Sequence, residues 1–344
     1  MKRIAIVTIY GEENYGNRLQ NYAVYRYLSE MGFACETIVI QKPQAWKTKL
    51  RKTVKRVLCE TIVKNNEQNR NNSFSKFTKT YIPTRKIESA YDLGKLSQEY
   101  DFFVVGSDQV WNPCFGGFQN YFDEMFLTFA PREKRVCFSP SFGVSSIPAE
   151  WKKSFSDALD GFEEISVREK TGVKIVSELT GKTAICLPDP TLLFDADAWQ
   201  KISREPKEDG FAFTYFLGER PEELLPKNGK IVDIMDKTSG AYYKYNPSDF
   251  IGFIKKADVV YTDSFHACVF AILFGKPFCV LERRDGYNSM SSRIQSLLEE
   301  FGEKYSPNEP RMIQIDPVTR DIALQERRKD TRRFMQKQLS TEAK

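Results

Sequence analysis

The side chain with the narrowest chemistry in this sequence is its one histidine, His266. It stands in TDSFHACVFAILFGKP, residues 262–277, where a β-branched strand pattern passes directly into a helical one. A helix starting there aims unpaired backbone N–H groups and the positive end of its dipole at the strand's carboxyl edge, a place that favours an anion. A neighbouring anion favours imidazolium, whereas the helix start disfavours it. Proton transfer or phosphate binding by His266 is therefore one reading; Asp263 or Ser264 as a plain helix cap, with His266 filling a polar gap, is the other. In ISVREKTG, residues 165–172, Arg168 ends a strand and could grip a phosphate or carboxylate with two N–H groups. Its alternative is a salt bridge to Glu169 or another acid. In GSDQVWNP, residues 106–113, Gly106 permits close approach at a strand end. Asp108, Gln109, Trp111 and Asn112 offer hydrogen bonds beside an aromatic face, as a sugar needs, or else ordinary turn chemistry. GEENYGN, residues 11–17, is not a dinucleotide fingerprint, because Glu12 and Glu13 would repel phosphate. Asn14 and Asn17 suit an uncharged hydroxylated ligand, with Asn17 as a simple helix cap the alternative.

These residues need a scaffold that brings strand ends together. Short β-branched runs alternate with helical patterns, the signature of parallel α/β sheets. Strands are expected at Ile4–Tyr10, Cys35–Ile40, Phe102–Gly106, Arg135–Ser139, Ile165–Arg168 and Ile185–Leu187, with a helix at Asn17–Met31. A second unit has strands at Phe211–Leu217, Lys230–Ile234, Val259–Thr262 and Phe278–Leu281. Its helices are a short one capped by Ser248, then His266–Phe274 and Ser292–Phe301, and a charged tail helix follows Val318. The polar stretch Asp195–Asp209 divides residues 1–199 from 205–344. The length of 344 residues accommodates two such units. All four motifs then lie at strand carboxyl ends facing a cleft.

Composition removes several classes. With 51 Lys+Arg against 46 Asp+Glu, the net charge of +5 is too mild to indicate nucleic-acid binding. A single histidine excludes a His-rich metal site, and no metal is expected. The seven cysteines have no CxxC spacing and an odd count, which fits reduced thiols in a cytoplasmic protein. No run of about 18 apolar residues suggests a membrane span. Lys42–Arg56 carries seven basic residues and no acid, with Trp46, Leu50 and Val54 at roughly helical spacing. It offers peripheral contact with the anionic inner face of a membrane, or is a solvated helix in an insertion spanning about 42–90. Asn65–Asn72 reads as a loop.

NYGNRLQNYA, VVGSDQVWNP, SVREKTG, LPDPTLLF and ADVVYTDSFHACVFAILFGKPF, in this order and spacing, resemble the polysaccharide pyruvyl transferase family over most of the chain. The resemblance implies a GT-B-like fold, two Rossmann-type domains facing across a cleft. It also implies transfer of pyruvate from phosphoenolpyruvate onto a saccharide or lipid-linked saccharide as a cyclic ketal, in cell-surface or capsular polysaccharide synthesis. Phosphoenolpyruvate is then a co-substrate and no cofactor is required. The family's anion-binding arginine falls on Arg168 and its histidine on His266. Many relatives carry an arginine two places before that histidine; Ser264 stands there in this chain. A second basic group would come from Arg283, Arg284 or Arg293. His266 is the expected acid or phosphate partner and Asp108 the expected base. Asn14, Asn17, Gln109, Trp111 and Asn112 face the acceptor, and Arg168, Ser264, His266, Arg283 and Arg293 the donor.

Two other functions share this framework. A GT-B glycosyltransferase would need a base slot and an acidic ribose partner in the second unit, where Glu282 is the available residue. A saccharide-binding relative without catalysis is the non-enzymatic alternative.

Overall fold

The computed structural model describes residues 1–11, 14–40, 54–87, 90–284 and 291–340, with backbone only for 54–62, 90–93 and 291. The first unit runs β1 (Arg3–Val7), α1 (Tyr15–Glu30), β2 (Ala34–Ile40), α2 (Val54–Tyr81), β3 (Thr84–Ile87), α3 (Ala90–Glu99), β4 (Phe102–Val105), α4 (Phe122–Met125) and β5 (Arg135–Cys137). It continues through α5 (Lys152–Leu159), β6 (Ile165–Val167), α6 (Lys170–Thr180), β7 (Ala184–Cys186) and α7 (Ala196–Gln200). The second unit holds β8 (Phe211–Tyr215), β9 (Lys230–Asp233), α8 (Pro247–Lys256), β10 (Val259–Thr262), α9 (Phe265–Leu273), β11 (Phe278–Val280), α10 (Ser291–Glu299), β12 (Met312–Ile313) and α11 (Pro317–Leu339).

Strands of the first sheet lie in the order β3-β2-β1-β4-β5, all parallel. The second sheet has the order β12-β11-β10-β8-β9 and is parallel except for β12. The parallel pair β6–β7 docks beside β5, where Ser139 N donates to Ser166 Oγ at 3.1 Å. In each large sheet the strand order reverses once, between β1 and β4 and between β8 and β10. Loops leaving the carboxyl ends there diverge and open a crevice. This is the GT-B-like arrangement of two Rossmann-like units.

Burial on both faces explains the unbroken apolar strands. Ile4 and Ile6 of β1 point into one core, and Ala5 and Val7 into another. The first core crosses between the units. Tyr15, at the start of α1, stacks on Phe250 of α8 (4.7 Å, 10°) and meets Tyr215 of β8 edge-on (5.4 Å). The tail helix α11 ties back across the join: Arg327 donates to Cys186 O (3.2 Å), and Lys337 pairs with Glu164.

Three expectations are corrected here. Asn65–Asn72 is helical, inside α2, and not a loop. Polar composition misleads because Arg70 turns inward: its guanidinium donates to Tyr15 Oη (2.6 Å) and Tyr243 O (3.0 Å) and lies over the Tyr15, Phe74 and Tyr243 rings. Helix α8 is capped by Asn246, not Ser248, in a capping box with Asp249 and with Pro247 in its first turn. Helix α1 is capped by Asn14, whose side chain accepts from Asn17 N, and not by Asn17. The membrane contact expected of Lys42–Arg56 lies outside the described side chains; among the described residues no helix is long and apolar enough to cross a membrane. The described cysteines are free thiols, with Cys137, Cys268 and Cys279 buried.

Arg70 thus fastens α2 to both units. Arg70→Met should lower unfolding free energy by about 2–4 kcal/mol, read from urea titration, because Tyr243 O loses a buried donor and the aromatic cage loses its cation. An unchanged midpoint would show that α2 is not part of the shared core.

Candidate active site

The loops at the two sheet crevices, the β6 and β7 ends and helix α10 bring a charged cluster out of water. Arg168 leaves the end of β6 and is buried. Its Nη1 lies 2.6 Å from Asp189 Oδ2, its Nη2 lies 3.7 Å from Asp108 Oδ1, and its guanidinium covers the Phe265 ring at 4.5 Å. His266, in the first turn of α9, directs Nε2 at the same Asp189 oxygen, 3.5 Å away. Asp189 Oδ1 is occupied by Thr191 N (3.0 Å) and Thr191 Oγ1 (2.7 Å). One carboxylate therefore caps the turn after β7 with one oxygen and faces Arg168 and His266 with the other.

Asp108 follows β4 and adopts a left-handed φ of 65°, a conformation aspartate tolerates better than most residues. Its backbone oxygen accepts from Val110 N (2.9 Å) and Ser141 N (2.8 Å), and its carboxylate accepts from Asn17 Nδ2 (3.3 Å). Arg293 of α10 lies against Gln109: with the amide oxygen turned towards it, Nη1 and Nη2 each donate at 3.1 Å.

Burial penalises every charge here, and partners decide the outcome. For Asp189, burial is outweighed by His266, Arg168 and Thr191, so its carboxyl is held well below the usual range. Burial is likewise outweighed at Asp108 by Arg168, His266 and Arg293, and its pKa is lowered. Arg168 is pushed up because Asp189, Asp108 and Glu169 outweigh its burial. Arg293 is pulled down by burial and then by Arg168. A carboxylate stabilised like Asp108 is a weak proton acceptor, which counts against the role of base expected for it.

The remaining expected residues divide. Asn17 and Gln109 join the cluster through Asp108 and Arg293, and Asn14 fixes the start of α1 beside it. Trp111 does not join. Its ring is fully buried, stacks on Phe126 (5.2 Å, 5°) and donates Nε1–H to Met125 O (2.8 Å), so it has no face open to a sugar. Asn112 is also buried, and its Oδ1 accepts from Cys114 N (2.9 Å) in a local turn. Ser264 precedes α9 but its hydroxyl makes no capping bond. Arg283 is engaged by Asp263 (3.2 Å), whose carboxylate also accepts from Leu217 N and Gly218 N at 2.8 Å each. Arg284 pairs with exposed Glu223.

Sequence reasoning missed four participants. Asp189, between two prolines, reads as turn chemistry and does cap a turn. Phe265 reads as core. Glu169 reads as the partner of Arg168; instead its Oε1 accepts from Ser141 Oγ (3.0 Å) and Phe142 N (2.8 Å), holding the loop that backs Asp108. Gly16 is the fourth. A Cβ there would overlap Nδ1 and Cγ of His266, so the histidine packs where α1 has no side chain.

The family model for polysaccharide pyruvyl transferase matches residues 14–285, well over half of the sequence. The chain belongs to that family. It covers the segments that carry Asn14, Asp108, Arg168, Asp189 and His266. No curated protein matches the sequence. Among solved structures, an uncharacterised protein from Klebsiella pneumoniae aligns at 13% identity and TM-score 0.49, covering 88% of this chain and 92% of that one. An alpha-glucosyltransferase solved with UDP-glucose and DNA aligns at 10% identity and TM-score 0.48, over 99% and 96%. A putative UDP-N-acetylglucosamine 2-epimerase from Listeria monocytogenes aligns at 12% identity and TM-score 0.43, over 83% and 80%.

The contact between Gly16 and His266 can be tested alone, since His266 supplies the protein's only imidazole resonances. Gly16→Ala should leave the far-ultraviolet circular dichroism unchanged but shift the His266 Cε1–H signal. An unshifted signal would contradict the packing described.

Proposed function

We propose that the protein transfers the pyruvyl group of phosphoenolpyruvate to two hydroxyls of a saccharide acceptor, forming a cyclic ketal and inorganic phosphate. The observation that carries this reading is the convergence of Arg168, His266 and Arg293 around buried carboxylates in a member of this family. Phosphoenolpyruvate presents a carboxylate and a phosphate, and a pair of guanidiniums suits the two anions.

In this reading His266 protonates the methylene carbon of the enol phosphate. The adjacent carbon gains oxocarbenium character and one acceptor hydroxyl adds to it. The C–O bond to phosphate breaks, and the second hydroxyl closes the ketal. Of the two hydroxyl protons, one balances the proton now in the methyl group and the other leaves with phosphate. The steps are redox-neutral. The protein's contribution is positioning and stabilisation of the departing phosphate's charge. Arg168 and Arg293 hold the donor. Asp108 holds Arg168, and Asn17 and Gln109 meet the acceptor.

As folded, the space bordered by Arg168, Asp189, Phe265 and Arg293 is about 10 Å³, the room of a single water. Donor entry therefore requires the α9 side to draw away from the first unit, with donor anions taking over from Asp189 and Asp108. Arg168 Nε and Nη2 and His266 Nε2 are buried without a hydrogen-bond partner among the described residues, so they are the groups the donor would satisfy.

Calorimetry should show phosphoenolpyruvate binding to the wild type and lost in Arg168→Gln. His266→Ala should retain binding but release phosphate ~10²–10⁴-fold more slowly across a panel of hexopyranoside acceptors. Undiminished turnover in His266→Ala would reject its role as acid; phosphoenolpyruvate binding unaffected by Arg168→Gln would reject the donor site.

A further inference from the structure

The buried space at Arg168 and Arg293 is bordered by a second carboxyl besides Asp189. It belongs to Glu300, which directly follows α10 and lies in none of the sequence motifs. The Glu300 side chain is 9% exposed. Its Oε1 accepts from Nη2 of Arg327 at 2.7 Å. Its Oε2 is buried and has no hydrogen-bond partner among the described residues. Arg327 also donates to Cys186 O at 3.2 Å, so the tail helix α11 holds this carboxyl against the end of β7.

The two carboxyls are held differently. Asp189 faces Arg168 and His266, and its carboxyl is stabilised as the anion. Glu300 has a cation on one oxygen only, and burial pushes its pKa up against the pull of Arg327 and then Lys170. Lys170 of α6 is itself paired with Glu299 at 2.7 Å. The Cys186 thiol of β7 is pushed up to about 11, by burial and then by Glu300, and stays neutral. Arg168, Arg293 and Asp189 border the same space. An anion drawn in by the guanidiniums would meet a carboxylate oxygen with bare lone pairs, and like charges repel strongly where water is excluded. A proton on Oε2 removes that repulsion and turns the unpartnered oxygen into an O–H donor for the anion.

We propose that Glu300 binds the donor as a neutral carboxylic acid, its Oε2–H donating to a phosphate or carboxylate oxygen, so that donor binding takes up a proton from solution. The proton stays on Glu300 and returns to solution when the anion leaves. The anion favours the protonated acid, and by linkage the proton favours the anion. Affinity therefore falls with rising pH once Glu300 is ionised in the free protein, by up to about tenfold per pH unit. That the anion is phosphoenolpyruvate rests on the pyruvyl-transfer reading; the need for a protonated Glu300 applies to any anion in this space.

The test titrates phosphoenolpyruvate, and separately inorganic phosphate, into the wild type and Glu300→Gln by calorimetry. It runs from about pH 6 to about pH 9, in buffers of different ionisation enthalpy. The amide keeps an oxygen for Arg327 and an N–H for the anion but cannot ionise. Across the range the wild type should lose at least ~10-fold more affinity than Glu300→Gln, and it should take up more protons per anion bound. His266 and the anion itself contribute alike to both proteins and cancel in the comparison. Equal pH dependence and equal proton uptake would overturn the proposal. So would loss of binding in a Glu300→Gln protein with the wild-type unfolding midpoint, since the amide reproduces the neutral acid. The wild type alone gives a second reading: its infrared difference spectrum should gain a carboxylic-acid band when the anion binds, and absence of that band would overturn the proposal whatever the variant does. Proton-linked binding of inorganic phosphate that is lost in Glu300→Gln, in a protein that does not bind phosphoenolpyruvate, would uphold the role of Glu300 and overturn the donor reading. Binding of neither anion would overturn both.

Discussion

Much of this structure depends on Arg168, His266 and two carboxylates packed against one another. Arg168 and His266 converge on one oxygen of Asp189, and Asp108 approaches Arg168 from the other side. A single buried guanidinium would cost several kcal/mol, and only close, correctly aimed partners offset that. Each partner comes from a different strand end, so the ion cluster requires β4, β6, β7 and β10 to end where they do. The left-handed backbone at Asp108 and the glycine at position 16 are consequences of the same demand. Both are local departures from default geometry that the surrounding structure holds in place.

On the pyruvyl-transfer reading proposed above, that cluster explains how a site for a charged donor can exist inside a folded protein before the donor arrives. On that reading the carboxylates stand in for the donor's anions. They keep the guanidinium charged and aimed, and they leave some of its N–H groups unsatisfied. A trianionic donor would then exchange one set of partners for another, so its entry would not require charge to be created in the interior. The structural requirement is a join between the units that can loosen. The join includes the Tyr15–Phe250 stack with Arg70 behind it, within the apolar core that crosses between the units, and among the described residues no main-chain sheet pairing connects the two large sheets.

Period and alternation made the sheets legible, because strands buried on both faces read as apolar runs with little competition. β10 is found at the bounds expected, and α9 is displaced by one residue. The lone histidine and Arg168 were visible because a charged or titratable side chain at a strand end has few structural uses. What was not visible depends on contacts distant in sequence. Asp189 satisfies its turn with one oxygen, so nothing local betrays the second. Arg70 lies in an asparagine-rich stretch whose polarity suggests solvent, and only the packing of α2 on the second unit turns it inward. Trp111 failed in the opposite direction: beside Asp108 and Gln109 it looks like part of a sugar platform, but successive residues of a turn face opposite ways, and its ring belongs to the core. Arg293, one of the three arginines expected as a second basic group, reaches the cluster from α10, against Gln109.

The central claim is that Arg168 and His266 form one anion site for phosphoenolpyruvate. It is tested most directly by titrating phosphoenolpyruvate into the protein while following the two carbon-bound imidazole protons of His266, which no other histidine obscures. The account predicts a saturable shift of both signals in the wild type and its loss in Arg168→Gln. Saturable phosphoenolpyruvate binding by calorimetry with both His266 signals unmoved would contradict it.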